Sequence, residues 1–376
     1  MKVAYLIGSL NRGGAETLLL DIFRKSESAP FGMILIHRKG GLYENDFENE
    51  KPHCYRVAPR KWHFCAYLRQ LRKTFIDEHV TIIHAFYWLE VIFAKLATIG
   101  LNIPIVITFH GYLGGEAGLL DGMLYRLVMR IAKRLFFVSE EQKSRFAKRY
   151  GYVVSKKGMV LYNGLNFDKF EFANEGVGEI TKEHNIKLCM VGNFNSVRSQ
   201  IIVVKALRIL SRNVTWNNII EFYFIGGRIS GEEHYYDECV AFCEEYGLNN
   251  VHFMGVRDDV PALLKTMDGF VYSSRNDTFG IAAIEAIACG LPMVVNDHPV
   301  MKEVCSLHTD EANMAVRFYL SEDAEDCANK IANLLEDMQL RPKQLQIDCH
   351  LASEYVRNKY SITTHITNLE NIYLSL

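Results

Sequence analysis

Apolar positions along this chain recur in two different periods, and the periods alternate. Val3–Ile7 is a short unbroken apolar run ended by Gly8. A glycine-bearing loop follows, and then spacing of three and four over Glu16–Arg24. The same alternation continues through runs at Met33–His37, Thr81–Phe86, Ile105–His110 and Leu135–Ser139, with helical spacing over Trp62–Glu78, Trp88–Ile99 and Leu119–Lys133. Short continuous apolar runs fit strands buried on both faces, and the three-and-four spacing fits the helices that cover them. The pattern predicts βαβ units and a parallel sheet.

The alternation restarts in the second half. Lys187–Gly192, Ile220–Gly226, Val251–Gly255, Gly269–Ser273 and Pro292–Asn296 read as strands; Ile201–Arg212, Glu232–Tyr246, Val260–Met267 and a segment beginning near Phe279 read as helices. The fold class is therefore α/β, with two doubly wound, Rossmann-like units in series. The linker falls within Asn163–Gly178, which carries Asn, Asp and Gly breakers. A last helical stretch, about Leu351–Leu376, fits either half.

Composition narrows the class. With 376 residues, 49% hydrophobic and 23% charged, the chain is neither disordered nor fibrous. No apolar run approaches the roughly 18 residues a spanning helix needs, and the apolar start is too short for a secretory signal. The cysteines number nine, without CxxC spacing, which argues against a disulfide framework or structural zinc and for a reducing cytoplasm. The net charge of −2 hides an asymmetry: residues 1–165 carry 24 Lys and Arg against 14 Asp and Glu, and the remainder 18 against 30. A basic half would face phosphates or an anionic membrane, or simply be a solvated surface.

In open α/β sheets ligands bind beyond the carboxyl ends of strands. That singles out the loops Gly8–Glu16, His110–Gly115, Gly192–Gln200, Gly226–Gly231, Gly255–Asp258 and Ser273–Gly280. In the first, Gly13 and Gly14 open a helix and would admit an anion to its N-terminus, or serve only as a tight turn; neither the dinucleotide fingerprint nor a phosphate loop is present. Arg198, beside a helix start, would clamp a diphosphate, or be an ordinary surface residue. Asp277 and Glu285 lie eight residues apart, a little over two helical turns, in FVYSSRNDTFGIAAIEAIACGLPMVVND. Two carboxylates so placed would touch two hydroxyl-bearing parts of one ligand; the alternatives are a helix cap at Asp277 and a buried arginine partner at Glu285.

That stretch resembles the Glu-x7-Glu pattern of retaining GT-B glycosyltransferases, especially glycosyltransferase family 4, followed by the turn ACGLP at 288–292. The resemblance runs along nearly the whole chain, through GGAE at 13–16, TFHG at 108–111, VSE at 138–140, YNGLN at 162–166, GNFNSVRSQ from Gly192, FMGVRDDV at 253–260 and a terminal helix. Two departures stand out. Asp277 replaces the usual Glu with Thr278 after it in place of Gly, and Asn193 stands where an Arg is common, with Arg198 where a Lys is common.

The resemblance implies GT-B architecture, two Rossmann-like domains facing a central cleft: residues 1–165 for the acceptor, with a helix of about 352–376 packing back on it, and 166–351 for the nucleotide sugar. It implies transfer of a sugar, with retention, from a nucleotide-diphosphate sugar, UDP first by family frequency, to a glycan or lipid-linked acceptor in bacterial surface-polysaccharide assembly. Glu285 would take the ribose hydroxyls, Asp277 the sugar hydroxyls, Arg198 and the Gly13–Gly14 loop the diphosphate, and His110 the sugar from the facing domain. Asn163, Gly192, Asn193, Val256, Arg257, Thr278, Phe279, Gly280 and Ile281 would line the substrates. No cofactor or metal is implied, and no nucleic-acid partner; Asp258–Asp259 reads as helix capping. A basic helix bearing Arg60, Lys61, Arg69, Arg72 and Lys73 beside Trp62, Phe64, Tyr67, Leu68 and Leu71 would rest on an anionic membrane at the inner face of the cell, or cover the sheet. The rival readings are an epimerase or hydrolase of the same fold, and a catalytically weak nucleotide-sugar-binding protein.

Overall fold

A computed structural model describes residues 1–11, 13–50, 53–59, 63–112, 119–170, 172, 185–213, 216, 219–307 and 314–376. The chain forms two compact units, 1–166 joined by 360–376, and 167–359. The first holds strands β1 (Lys2–Ile7), β2 (Gly32–His37), β3 (His53–Arg56), β4 (Ile82–Ala85), β5 (Ile105–Phe109), β6 (Arg134–Phe137) and β7 (Gly158–Val160). The second holds β8 (Ile186–Val191), β9 (Ile220–Ile225), β10 (Val251–Phe253), β11 (Gly269–Tyr272), β12 (Met293–Asn296) and β13 (Val316–Tyr319). The sheets run β3-β2-β1-β4-β5-β6-β7 and β10-β9-β8-β11-β12-β13, parallel throughout. Strand order reverses between β1 and β4 in one unit and between β8 and β11 in the other.

The two-residue period of a strand sorts the first sheet's side chains between two cores. Ala4, Leu6, Ile34, Ile36, Ile83, Ala85, Ile107 and Phe137 face helices Phe64–Asp77, Trp88–Ala97, Leu119–Ile131 and Glu140–Tyr150. Val3, Tyr5, Ile7, Leu35, Ile82, Val106 and Phe136 face the other way. On that side helix Gly14–Arg24 cannot cover every strand. Phe47 of the short helix Glu44–Asn49 adds to the cover, and the rest comes largely from the terminal helix Ile362–Leu374, which buries Ile362, Ile366, Leu369 and Tyr373.

The expected last helix is two helices. Pro342–Tyr360 belongs to the second unit as far as Lys359, and Ser361 starts the next helix by accepting a bond from the Thr364 amide at 3.0 Å. Residues 352–359, expected with the first domain, thus lie in the second unit. The outgoing and returning chain run side by side: the Leu165 amide donates to Tyr360 O at 2.8 Å and the Ile362 amide to Leu165 O at 2.9 Å. A Cβ on Gly164 would stand 2.5 Å from His365 Cβ, so only glycine lets the turn approach the terminal helix this closely.

Several elements escaped the periodicity. Strands β3, β7 and β13 have three or four residues each, and β3 carries the polar sequence HCYR. Helices Glu140–Tyr150 and Ala324–Leu340 are polar enough to hide their buried stripes. Trp62, Arg60 and Lys61 of the basic helix lie outside the described residues. Its remainder, Phe64–Asp77, buries Tyr67, Leu71 and Phe75, and Arg72 donates to the carbonyls of Ala97 and Ile99 at 3.0 and 2.8 Å. Its apolar side covers the sheet.

A polar seam ties the terminal helix down. Tyr373 Oη lies 2.5 Å from His84 Nδ1 and donates to Tyr5 Oη at 3.2 Å; His84 Nε2 meets Thr108 Oγ1 at 2.7 Å, and His365 Nδ1 meets Tyr162 O at 2.7 Å. Tyr373→Phe leaves His84 and Tyr5 short of a buried partner and should cost about 1–3 kcal/mol, read by urea denaturation. Burial holds His84 well below the usual imidazole range, helped by His365 and His110, and holds His365 down at about 4. Both are neutral when folded and titrate near 6.5 when unfolded. Their contribution is present above that pH and is lost as pH falls from about 6.5 toward 4, because the unfolded chain binds more protons. The urea midpoint should drop between pH 7 and pH 5, and less so in His365→Asn.

Candidate functional site

In the second unit the strand reversal brings two loops together. The loop after β8, residues 192–199, pairs with the loop after β11, residues 273–280, through an isolated antiparallel bridge between Arg198 and Ser274. The Ser199 amide donates to Ser273 O at 3.3 Å, the Arg275 amide to Val197 O at 2.8 Å and Ser274 Oγ to Val197 O at 3.2 Å. Asn296, at the end of β12, holds the second loop from below, accepting from the Ser274 amide at 2.9 Å and donating to Ser274 O at 2.8 Å.

On this frame Arg198 and Asp277 meet. Arg198 Nη1 donates to Asp277 Oδ1 at 2.6 Å, and Tyr272 Oη donates to Asp277 Oδ2 at 2.8 Å. The guanidinium also lies over the Tyr272 ring, 5.2 Å from its centroid. Arg198 Nε is buried and has no hydrogen-bond partner among the described residues. Despite its burial the guanidinium stays charged, because Tyr272 and Asp277 favour the cation. Asp277 does not cap the following helix. That helix is Ile281–Ala288, two residues later than expected, with Gly280 at its N-cap. Gly280 has φ +79°, and a Cβ there would stand 2.5 Å from Met301 Cε. Ile281 opens the helix, Phe279 is buried beneath it, and Glu285 is half-buried one turn further along than Ile281.

The neighbouring loops close around the same end of the sheet. Gly226 allows the loops after β8 and β9 to touch: a Cβ there would lie 2.2 Å from Gly192 O. Asn193 is exposed, but its Oδ1 accepts from the Gly227 amide at 2.9 Å, so it braces this contact. Gln200 Nε2 donates to the carbonyls of Gly192 and Asn193 at 3.2 Å each. Val256 is exposed, and Arg257 grips Asp259 through Nε and Nη2 at 2.8 and 2.6 Å. Asp259 therefore does not cap its helix through its side chain, contrary to the expectation from sequence.

The first unit presents a separate set of groups at its own reversal. Gly13 is the N-cap and Gly14 the first residue of helix Gly14–Arg24. Glu16, at the third helical position, turns back toward it: a Cβ on Gly13 would lie 2.5 Å from Glu16 Oε2. Tyr87 Oη donates to Glu16 Oε1 at 3.0 Å, and burial raises the Glu16 carboxyl above the usual range. The seat expected for an anion is thus occupied by a carboxyl group of the chain itself. His110 stacks on Phe86, centroids 5.0 Å apart, and burial with nearby His365 pulls it down to about 3, so it is neutral at pH 7. Asn163 is buried, and its Oδ1 has no hydrogen-bond partner among the described residues.

The sequence placed Arg198, Asp277, Thr278, Phe279, Gly280, Ile281 and Glu285 near one another, together with Gly192 and Asn193, and the structure gathers them in the second unit. Gly13, Gly14, His110 and Asn163 lie in the first. Tyr272, Asn296 and Gln200 were missed; the first two sit inside apolar strand runs, where only the sheet ends reveal them. Among the described residues no group of three or more His, Cys, Asp and Glu is arranged to hold a metal ion.

Comparison with known proteins decides the family. The model of glycosyltransferase family 4 matches residues 12–169, and that of glycosyl transferases group 1 matches residues 177–346. The chain belongs to the GT-B glycosyltransferases of the family 4 type. A similar protein is the N,N'-diacetylbacillosaminyl-diphospho-undecaprenol alpha-1,3-N-acetylgalactosaminyltransferase of Campylobacter jejuni, 28% identical over 228 residues, 58% of this chain and 55% of that protein. The match thus spans about half of that relative's length. The O-antigen biosynthesis glycosyltransferase WclY of Escherichia coli is 20% identical over 314 residues, 81% of this chain and 82% of its own. Among solved structures, Anabaena Alr3699/HepE in complex with UDP superposes with a TM-score of 0.83 at 19% identity, covering all of both chains. That likeness shows the two-domain fold.

In this family 4 chain the Arg198–Asp277 pair is partly shielded from water, so removing one partner strands the other. Asp277→Ala should destabilise by about 2–4 kcal/mol in urea denaturation, and Arg198→Met combined with Asp277→Leu should lose less than Asp277→Ala alone.

Proposed function

We propose that this protein is a retaining glycosyltransferase that moves a sugar from a nucleotide-diphosphate sugar, with UDP as the first choice, to a glycan or lipid-linked acceptor in bacterial surface-polysaccharide assembly. The observation that carries the reading is the cationic Arg198 set at the strand reversal between β8 and β11, beside the start of helix Gln200–Leu210. An anionic leaving group placed there meets a fixed guanidinium and the positive end of a helix, which stabilises charge as the glycosidic bond breaks. Relatives named for O-antigen, lipopolysaccharide core and capsule synthesis support the pathway class. HepE, which has been solved with UDP and glucose, supports the donor class.

Within this reading Glu285 accepts the ribose hydroxyls. Asp277 orients the donor sugar through lone pairs left over from Arg198 and Tyr272, since a carboxylate offers about four acceptor positions. His110, neutral, can donate or accept toward a sugar hydroxyl without adding charge. Arg198 supplies the positive charge that a metal would otherwise bring, so turnover should survive a chelator.

A second reading draws on the same pair. Arg198 and Asp277 already neutralise each other, and such a site would suit a protein that binds nucleotide sugars weakly and turns them over poorly. A thermal-shift panel of UDP, GDP, ADP and their sugar conjugates separates the two. One nucleotide series should raise the melting temperature selectively, by about 2.7 kcal/mol of stabilisation at a hundred times Kd. With that donor, Glu285→Ala should lose transfer while keeping its circular dichroism and melting temperature. Normal turnover by Glu285→Ala would remove Glu285 from the site. Free sugar released without acceptor would favour a hydrolase.

A further inference from the structure

We propose that Glu322 is a positioning residue: it clamps the two loops that carry Arg198 and Asp277, and so sets where Arg198 and the start of helix Gln200–Leu210 stand. Glu322 follows β13, in the short turn before helix Ala324–Leu340. The Asp323 amide returns to Leu320 O at 3.1 Å, which makes Glu322 the third residue of a four-residue turn. Its φ is +63°, in the left-handed region where a side chain crowds the backbone and glycine or asparagine is favoured. Among the described residues one other non-glycine residue has a positive φ, His79. His79 lies just past the end of helix Phe64–Asp77, where that conformation is a common way to stop a helix. Glu322 ends no helix, and its conformation has no such cause.

Its side chain supplies one. Glu322 Oε1 accepts from Ser199 Oγ at 2.6 Å and from Arg275 Nε at 3.2 Å, and Oε2 accepts from Arg275 Nη2 at 3.2 Å. Ser199 ends the loop after β8 and Arg275 lies in the loop after β11, so one carboxylate joins both from a third loop. The join falls where the two loops already touch, beside the bonds from the Ser199 amide to Ser273 O and from the Arg275 amide to Val197 O. Arg198 immediately precedes Ser199, and Asp277 follows Arg275 by two residues. Ser199 is also the N-cap of helix Gln200–Leu210, and a serine there ordinarily turns its oxygen to the amides of its own helix. Here the hydroxyl makes no such bond and is drawn to Glu322 instead. The helix end beside Arg198 is thereby left without a side-chain cap, which suits it to an anionic ligand. The Arg275 and Glu322 side chains are 35% and 49% exposed, so their pairing contributes little to stability. What the carboxylate contributes is location, held despite a strained backbone. The inference rests on the proposed donor site only for the ligand served, because the clamp can be read on the free protein.

The test compares Glu322→Gly with Glu322→Gln. Glycine fits the positive φ and removes the carboxylate, whereas glutamine keeps an oxygen for Ser199 and Arg275. In the free protein, hydrogen–deuterium exchange over residues 192–200 and 273–280 should quicken about tenfold in Glu322→Gly and return to within about twofold of the parent in Glu322→Gln. The melting temperature of Glu322→Gly should stay within a few degrees of the parent's or rise, because the crowding is relieved. The nucleotide that stabilises the parent should bind Glu322→Gly about tenfold more weakly. A residue that only held the fold together would lose stability and affinity in step. Unchanged exchange in both loops of Glu322→Gly overturns the proposal. So does loosening that Glu322→Gln fails to reverse, or full nucleotide affinity in a loosened Glu322→Gly. Loosened loops in a chain whose parent binds no nucleotide would uphold the clamp and remove the donor reading instead.

Discussion

A parallel sheet must be covered on both faces, and in the first unit the local chain supplies too little cover for one of them. The strands sort their side chains by the two-residue period, so Val3, Tyr5 and Ile7 point away from Ala4 and Leu6 toward a second apolar face. The crossovers after β4, β5 and β6 all lie on the first face. The second face therefore depends on helix Ile362–Leu374, brought from the far end of the sequence. The chain in consequence passes between the units twice, at Asn166 and at Tyr360, and the two passages hydrogen-bond side by side. The buried Tyr5–Tyr373–His84–Thr108 chain fixes where the helix sits, because each member left without its partner would be a desolvated polar group.

The candidate site of the second unit lies at the place the topology favours. Strand order reverses between β8 and β11, so the helices that follow them diverge and leave their connecting loops facing each other. Close glycine contacts and Asn296 bind the loops into one rigid rim, on which Arg198, Asp277 and Tyr272 form a linked cation, carboxylate and phenol. The shorter Asp277, in the place where the family has Glu, is turned into this network. Its partners hold Arg198 oriented and also temper its charge, a balance set by packing and invisible in either residue alone.

Much of this was legible in the chain. Buried strands are continuous apolar runs when both faces are covered, so ten of them stood out, and the acidic pair with its ACGLP turn drew the eye to the stretch where Asp277 meets Arg198. Short or polar edge strands such as β3 and β7 have no such run. Helix Glu140–Tyr150 shows only a narrow stripe around Phe146. Asp259 looked like a cap because it sits at a helix start, but Arg257, two residues earlier, takes its carboxylate. The basic helix, which the sequence left open between a membrane and the sheet, buries Tyr67, Leu71 and Phe75 against the sheet, because spacing alone cannot say which layer an amphipathic face meets.

The sequence by itself determined the two doubly wound units, the loops that end their strands and the residue types available there, because periodicity and turn chemistry are local. Only the tertiary structure decided that Arg198 pairs with Asp277 over Tyr272, that Glu16 folds over the Gly13–Gly14 turn, and that Tyr373 meets His84, 289 residues away in the chain. Those contacts join residues far apart in sequence through the order of strands in a sheet, and no local period encodes that order.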